Sequence, residues 1–540
     1  MKETTLVLMI LFSYILSLEN YVGHHDLVLN DASSTIDGVE LTSTANNGVS
    51  ILDGEKIIHY EAEYASITGY GEATEQSEWH TKEECNKEKL IKISEPGTYI
   101  VSGTLNGQLA VELSSNTDST QIVTLVLNGV TITSKVAPGL IYYKAYEIDT
   151  TEYEDTGEKI SYDKASNLNF DSAGAKVILA DDKTNTVTGS HVAKCYKYTE
   201  NSDGTITMTT SKRAKYDGAF YSKVSLVIKA ETKENGVLNI IADNEGLDTE
   251  KHLLIESGVV NIASQDDGIN TNEEGGSVTL IKGGKLTINA GLGEEGDGID
   301  SNGYLIINGG TVISAAKPAS DSGMDADLGV VVNGGTTVAV GSSMDGAHET
   351  SSQPTMNLKF SSQIDKSSSL SVKDSSGNII VTFSPASTEF ISGTEVRTYS
   401  GAIISQSSFK LNNIYYLCLD DYQLCSSGKT DQNPNGNPPN PPSDNNNPPT
   451  NKNANLKSKR KTADSNLCSF TLTSTVTTIE GLSKSTNKCS SSASTSLNTN
   501  ESNESSSSKS SADTTTAIYN SFSKISVTII NLGLLFLCVV

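Results

Sequence analysis

Leu253-Leu-Ile-Glu-Ser-Gly258-Val-Val-Asn-Ile262, Thr279-Leu-Ile-Lys-Gly-Gly284-Lys-Leu-Thr-Ile288, Leu305-Ile-Ile-Asn-Gly-Gly310-Thr-Val-Ile-Ser314 and Val330-Val-Val-Asn-Gly-Gly335-Thr-Thr-Val-Ala339 are one pattern written four times. Gly258, Gly284, Gly310 and Gly335 are 26, 26 and 25 residues apart, and a period of that size marks a solenoid. Each unit is two short β-branched runs split by glycine, too short for helices. A single unit cannot bury its apolar face, but stacked units can. Ile255, Ile281, Ile307 and Val332 fall at one position of the repeat, and Val260, Leu286, Val312 and Thr337 at another. Each aliphatic side chain buried in such a column contributes about 1.5–3 kcal/mol. The expectation is an all-β, right-handed parallel β-helix, the hand following from the usual chirality of parallel crossovers.

Outward from this core the chain divides by composition. Lys2 and an apolar run from Leu6 to Leu18 read as a signal peptide, residues 1–18. Residues 19–84 read as a loosely structured lead-in, 85–349 as the parallel β-helix and 350–428 as a small C-terminal β cap. Seven of the twelve prolines lie between 433 and 450, which makes 429–511 a stiff, disordered Pro/Ser/Thr/Asn-rich stalk with sequons at Asn500 and Asn503. Residues 512–540 end in an apolar tail after small residues and a polar spacer, the arrangement of a removed GPI-anchor signal; a single membrane span is the alternative. The whole describes a secreted glycoprotein held at the cell surface.

The formal charge of −26 excludes nucleic acid as a partner, because phosphates would be repelled. It favours cations or partners that cations bridge. The seven cysteines suit an oxidising compartment. Cys538 leaves with the tail, and the even remainder allows Cys418–Cys425, Cys468–Cys489 and Cys85–Cys195, although spacing does not determine connectivity.

A second repeated feature lies between the strand pairs: Glu245-Gly-Leu-Asp248, Asp267-Gly-Ile-Asn270, Asp297-Gly-Ile-Asp300 and Ser322-Gly-Met-Asp325, with echoes at Asp217-Gly-Ala-Phe220 and Asp345-Gly-Ala-His348. The apolar residue should point inward, leaving oxygen-bearing side chains stacked at about one strand spacing, ~4.8 Å. Like charges so close repel or recruit a cation, and calcium takes such hard oxygen ligands. The candidate metal residues are Glu295, Asp297, Asp300, Asp267, Asn270, Asp325, Asp248 and Glu245. Glu294, Glu295, Asp297 and Asp300 are the densest group. Turn chemistry is the competing reading, since Asp-Gly pairs serve corners by bonding the backbone. Two tyrosine-bearing stretches, about 145–169 and 195–216, interrupt the strands and read as loops. Their tyrosines are better explained by loop contacts than by stacking on sugars.

With Gly97-Thr-Tyr-Ile-Val-Ser-Gly-Thr104, Thr124-Leu-Val-Leu-Asn-Gly-Val-Thr-Ile132, Val177-Ile-Leu-Ala-Asp181 and the repeated Asp-Gly-Ile-Asp/Asn and Asn-Gly-Gly-Thr units, residues 85–425 resemble the clostridial-type carbohydrate-binding β-helix proteins, which share the polysaccharide-lyase-like fold. That resemblance implies a calcium-bearing β-helix binding cellulose-like or acidic plant-type polysaccharide, without established catalysis. The loops near 145–169 and 195–216, the stalk and the anchor depart from it.

Three functions compete: a non-catalytic polysaccharide-binding protein or adhesin, a calcium-dependent pectate-type lyase, and a structural wall protein. A lyase needs a cationic base beside its metal. Lys282 and Lys285 read as solvated strand residues, and Lys212, Arg213 and Lys215 fall in an insertion. No nucleophile elbow or metal-ligand histidine pair is present. The sequence therefore favours binding over catalysis.

Overall fold

The repeat builds three ladders of parallel strands. The computed structural model describes residues 21–493 except 22, 58–81, 191–194, 201–205, 215, 318–319, 343–345, 366–367, 385–397, 421–465 and 483–489. In the first ladder Ala175–Leu179, Leu226–Ala230, Leu253–Ile255, Val278–Ile281, Tyr304–Ile307 and Gly329–Val332 pair in that order. In the second the order is Thr184–Gly189, Val237–Ala242, Val259–Ser264, Lys285–Asn289, Thr311–Ala315 and Thr336–Gly341. The third joins Leu140–Lys144, Gly218–Ser222, Glu245–Thr249, Ile269–Thr271, Ile299–Ser301 and Asp325–Ala326. Each repeat supplies one strand to each ladder. The described residues are all-β, with one large, mostly parallel sheet and, among them, only short helical turns such as Lys82–Cys85.

Register places the apolar columns where the spacing predicts them. Ile255 opposes Ile281, Ile281 opposes Ile307, and Ile307 opposes Val332, all buried. Val260, Leu286, Val312 and Thr337 form the second column. Leu247, Ile269, Ile299 and Met324, the apolar residues of the acidic motif, are fully buried along the third ladder, and register sets the buried Phe220 beside Leu247. At the corner Gly284 has φ +77, and a Cβ there would stand 2.5 Å from the carbonyl oxygen of Gly258 one rung before. Both backbone conformation and close approach therefore demand glycine.

The lead-in is a correction. Within 19–84 the strands His25–Leu29, Thr35–Ile36, Val39–Glu40 and Val49–Asp53 are formed. His25–Leu29 runs parallel to Gly97–Glu112, Val49–Asp53 runs antiparallel to Lys89–Ile93, and Leu27, Leu29 and Ile36 bury into the main core. Its turns are Asp37-Gly38 and Asn47-Gly48, all four residues at positive φ, the Asx-Gly pairs that close tight hairpins. Strands so short carry little periodicity. The disulfide expected between Cys85 and Cys195 is also corrected. Cys85 is a buried thiol, grouped with Leu90, Ala110, Val136 and Ile141, where it serves as a small apolar residue. Cys418 is disulfide-bonded, while Cys425 lies outside the described residues.

After Gly341 the ladders give way to mainly antiparallel pairing. Thr398–Gln406 pairs with Thr336–Gly341, the last strand of the second ladder, and with Thr355–Asp365. The stalk boundary at 429 also needs correction, because Asn466–Thr471 pairs with Ile414–Asp420 and Val476–Leu482 with Thr355–Asp365. Phe470, Leu472, Val476, Ile479 and Leu482 are buried; spaced widely among serines and threonines, they do not change the average composition. The signal peptide, the anchor signal and stalk residues 429–465, 483–489 and 494–511 lie outside the described residues.

The interruption at 145–169 is a folded cover rather than a free loop. It contains the short helices Tyr153–Thr156 and Tyr162–Ser166. With Phe170 and Ala173 it buries Val227, Leu254, Leu280, Ile306 and Val331 on the outer side of the first ladder. Tyr153 is buried, and Tyr162 meets Tyr304 edge to face at 5.7 Å. Lys251 ion-pairs with the buried Glu273, whose Oε1 accepts the Tyr153 backbone N–H at 2.6 Å.

Candidate functional site

The third ladder stacks the acidic motif rung upon rung. Asp248 opposes Asn270, Asn270 opposes Asp300, and Asp300 opposes Asp325. Three residues earlier, at the start of the motif, backbone hydrogen bonds run from Gly246 to Asp267, Gly268 to Asp297 and Gly298 to Ser322, stacking Glu245, Asp267, Asp297 and Ser322. Seven of the eight sequence-derived candidates therefore share two adjacent columns. Glu295 is the exception: it and Glu294 are exposed on the corner loop. Among the described residues no three His, Cys, Asp or Glu side chains are arranged to hold a metal ion. The densest run of carboxylates in sequence is thus not a ready-made site. A loop can carry neighbouring residues in divergent directions, whereas strand register holds distant ones together.

Turn chemistry accounts for part of this arrangement. Asp267 Oδ1 accepts the backbone N–H of Asp297 at 2.6 Å, and Asp297 Oδ1 accepts that of Ser322. Asp321 does the same for Gly296, at 2.9 Å. Asn272 donates to Asp248 Oδ1 at 2.7 Å, and Asn270 donates to Glu245 Oε1 at 3.1 Å. Each of Asp267 and Asp297 spends one oxygen on the next rung.

These bonds do not discharge the electrostatic strain. Burial pushes the Asp267 carboxyl up to about 9, and the charges of Glu245, Asp266 and Asp300 push the same way. Burial, then Asp300, Asp325 and Asp321, raises Asp297 to about 7. Asn270 is 3% exposed, and its carbonyl oxygen Oδ1 has no hydrogen-bond partner. A buried amide oxygen among charge-strained carboxylates is a hard donor set, the type that suits calcium. Asp266 and Asp321 belong to this face and were not singled out from sequence. Each directly precedes a motif, at Asp267 and Ser322, which is the signal that could have found them.

Residues 87–190 and 156–388 match the model of a family described as carbohydrate-binding domain-containing protein, together more than half of the chain. The chain belongs to this family. No curated protein matches it. Among solved structures it is similar to the polysaccharide lyase-like protein from C. thermocellum, determined as a gadolinium derivative. The identity is 21%, over 58% of this chain and 92% of that one, and the TM-score is 0.31, too low to bear on the fold. For a carbohydrate-binding family member, the paired acidic columns are the feature that calls for a chemical role.

Proposed function

We propose that this protein is a non-catalytic polysaccharide-binding protein of the cell surface, its ladders wound as a right-handed parallel β-helix and its acidic face loaded with calcium. One observation carries the calcium reading. Asn270 Oδ1 is buried without a partner in a column whose neighbouring carboxylates Asp267 and Asp297 resist ionisation. Glu245, Asp267, Asn270, Asp297, Asp300 and Asp325 would supply the oxygens. The bound ion would neutralise the face and offer remaining coordination positions to carboxylate or hydroxyl oxygens of a sugar. Secretion, a lipid anchor and stalk glycosylation belong to the same proposal and rest on composition.

The test is binding to an array of plant-type polysaccharides, cellulose-like and acidic, with calcium and with a chelator. Calcium-dependent capture of acidic polymers supports the reading. Binding to no polysaccharide under either condition rejects it. Release from intact cells by a phospholipase that cleaves glycolipid anchors tests the attachment separately.

A further inference from the structure

Away from the acidic face, Leu168, Asn169, Phe170 and Asp171 form one wall of a notch of about 220 Å³ against the first ladder. Lys176, Val177, Val227, Lys229, Leu254, Glu256 and Lys282 complete it. The wall is the segment that ends the folded insertion. Register concentrates the cations. Lys176 opposes Val227, two residues before Lys229. Lys229, Glu256 and Lys282 each stand one place beyond the aligned trio Ile228, Ile255 and Ile281.

Acidic residues outnumber basic ones by 65 to 39 in this chain, so a surface lysine has carboxylates readily to hand. Among the described residues Lys229 and Lys282 nevertheless form no ion pair and no side-chain hydrogen bond, although Asp171 and Glu256 line the same notch. Lys176 donates to the backbone carbonyl of Asp171 at 2.5 Å, a neutral partner that positions its ammonium without cancelling it. Burial and then the charge of Lys229 lower the Lys176 pKa, and Asp171 only partly opposes them, as expected where cations outnumber the carboxylates beside them. Three ammonium groups over an apolar floor of Val227 and Leu254 make a seat for an anionic substituent. Asn169, Asp171 and Glu256 stand beside it as acceptors for hydroxyls.

We propose that this notch is a calcium-independent subsite for one anionic sugar unit of a bound polysaccharide. Lys176, Lys229 and Lys282 hold its carboxylate or sulfate, and the flanking polar side chains hold its hydroxyls. The assignment rests on the polysaccharide-binding reading above but not on the metal.

The experiment uses the full protein in chelator. A short oligogalacturonide, a sulfated galacto-oligosaccharide and a neutral one of equal length are titrated against the wild type and against Lys229→Gln/Lys282→Gln. Both replaced side chains are partly or fully exposed, so folding should persist, and a melting curve checks it. Charge-assisted hydrogen bonds predict that an anionic oligomer binds about tenfold or more tightly than the neutral one. The double variant should lose that preference, and the stronger of the two anionic oligomers identifies the substituent. Equal binding of anionic and neutral oligomers by the wild type, or an undiminished preference in the variant, overturns the subsite. If calcium-dependent capture of polymers survives either result, the broader function stands; if no polysaccharide is bound with or without calcium, both fall.

Discussion

Asp267 and Asp297 stand one rung apart on the acidic face, joined by a 2.6 Å hydrogen bond from the Asp297 backbone N–H to Asp267 Oδ1. One contact thus combines the corner chemistry of aspartate with the crowding of two half-buried carboxyls. Substitutions that keep the acceptor and remove the charge separate the two roles.

The double variant Asp297→Asn/Asp300→Asn retains an Oδ1 that can accept the Ser322 N–H but lacks both negative charges. Calcium should stabilise the wild type by mass action, because the ordered site exists only in the folded state. The variant should fold and lose most of that calcium-induced rise in melting temperature. An equal rise in both proteins, or no calorimetric heat of calcium binding to the wild type, removes the metal from the acidic face.

Without calcium, stability should fall as pH rises. Asp267 and Asp297 have folded-state values of about 9 and about 7 against an ordinary 3.8. The folded protein therefore keeps protons that the unfolded chain has released, and its stability declines wherever the unfolded state binds fewer. Their contribution is fully present below about 3.8 and is lost as pH passes through 7 and then 9. Urea midpoints in chelator should drop between pH 5 and pH 9, and calcium should flatten the decline. A rising midpoint in chelator over that interval would contradict the burial of these carboxyls.

Ile281 has Ile255 and Ile307 as its direct neighbours in the core column. Ile281→Ala should cost about 2–5 kcal/mol, the range for emptying a packed site. A urea denaturation series measures it. A cost near that of a surface substitution would mean that the column is not packed as described.

Glu273 holds the insertion by pairing with Lys251 and accepting the Tyr153 N–H. Glu273→Ala leaves Lys251 with the exposed Glu152 at 3.6 Å and the Thr151 carbonyl at 3.2 Å, and strands the Tyr153 amide, so about 1–3 kcal/mol should be lost locally. Hydrogen exchange should accelerate across 148–170 well before it does in the strands around Ile281. Uniform acceleration would instead show that the insertion and the ladders open together.

The repeat made the ladders legible. A 25- or 26-residue period leaves stacked apolar faces few ways to meet, and Ile255, Ile281, Ile307 and Val332 oppose one another as their positions require. The recurring acidic motif, rather than the period, pointed to one column for Asp248, Asn270, Asp300 and Asp325: they are 22, 30 and 25 residues apart, yet register pairs them in turn. The end strands were harder to read. Leu27 and Ile479 are buried on segments too short or too rich in serine and threonine to show alternation, and their partners are remote in sequence.

By itself, then, the sequence determined the strand repeat, the inward columns and the acidic stack, since each follows from interactions between neighbouring copies of one unit. Only the tertiary structure decided that Glu295 stands apart, that the insertion at 145–169 covers the first ladder, and that Lys176, Lys229 and Lys282 surround one notch. Those outcomes depend on how a unique, non-repeating segment settles on the repeats. That choice is made by burial and charge among residues 50 to 170 positions apart, which no local period encodes.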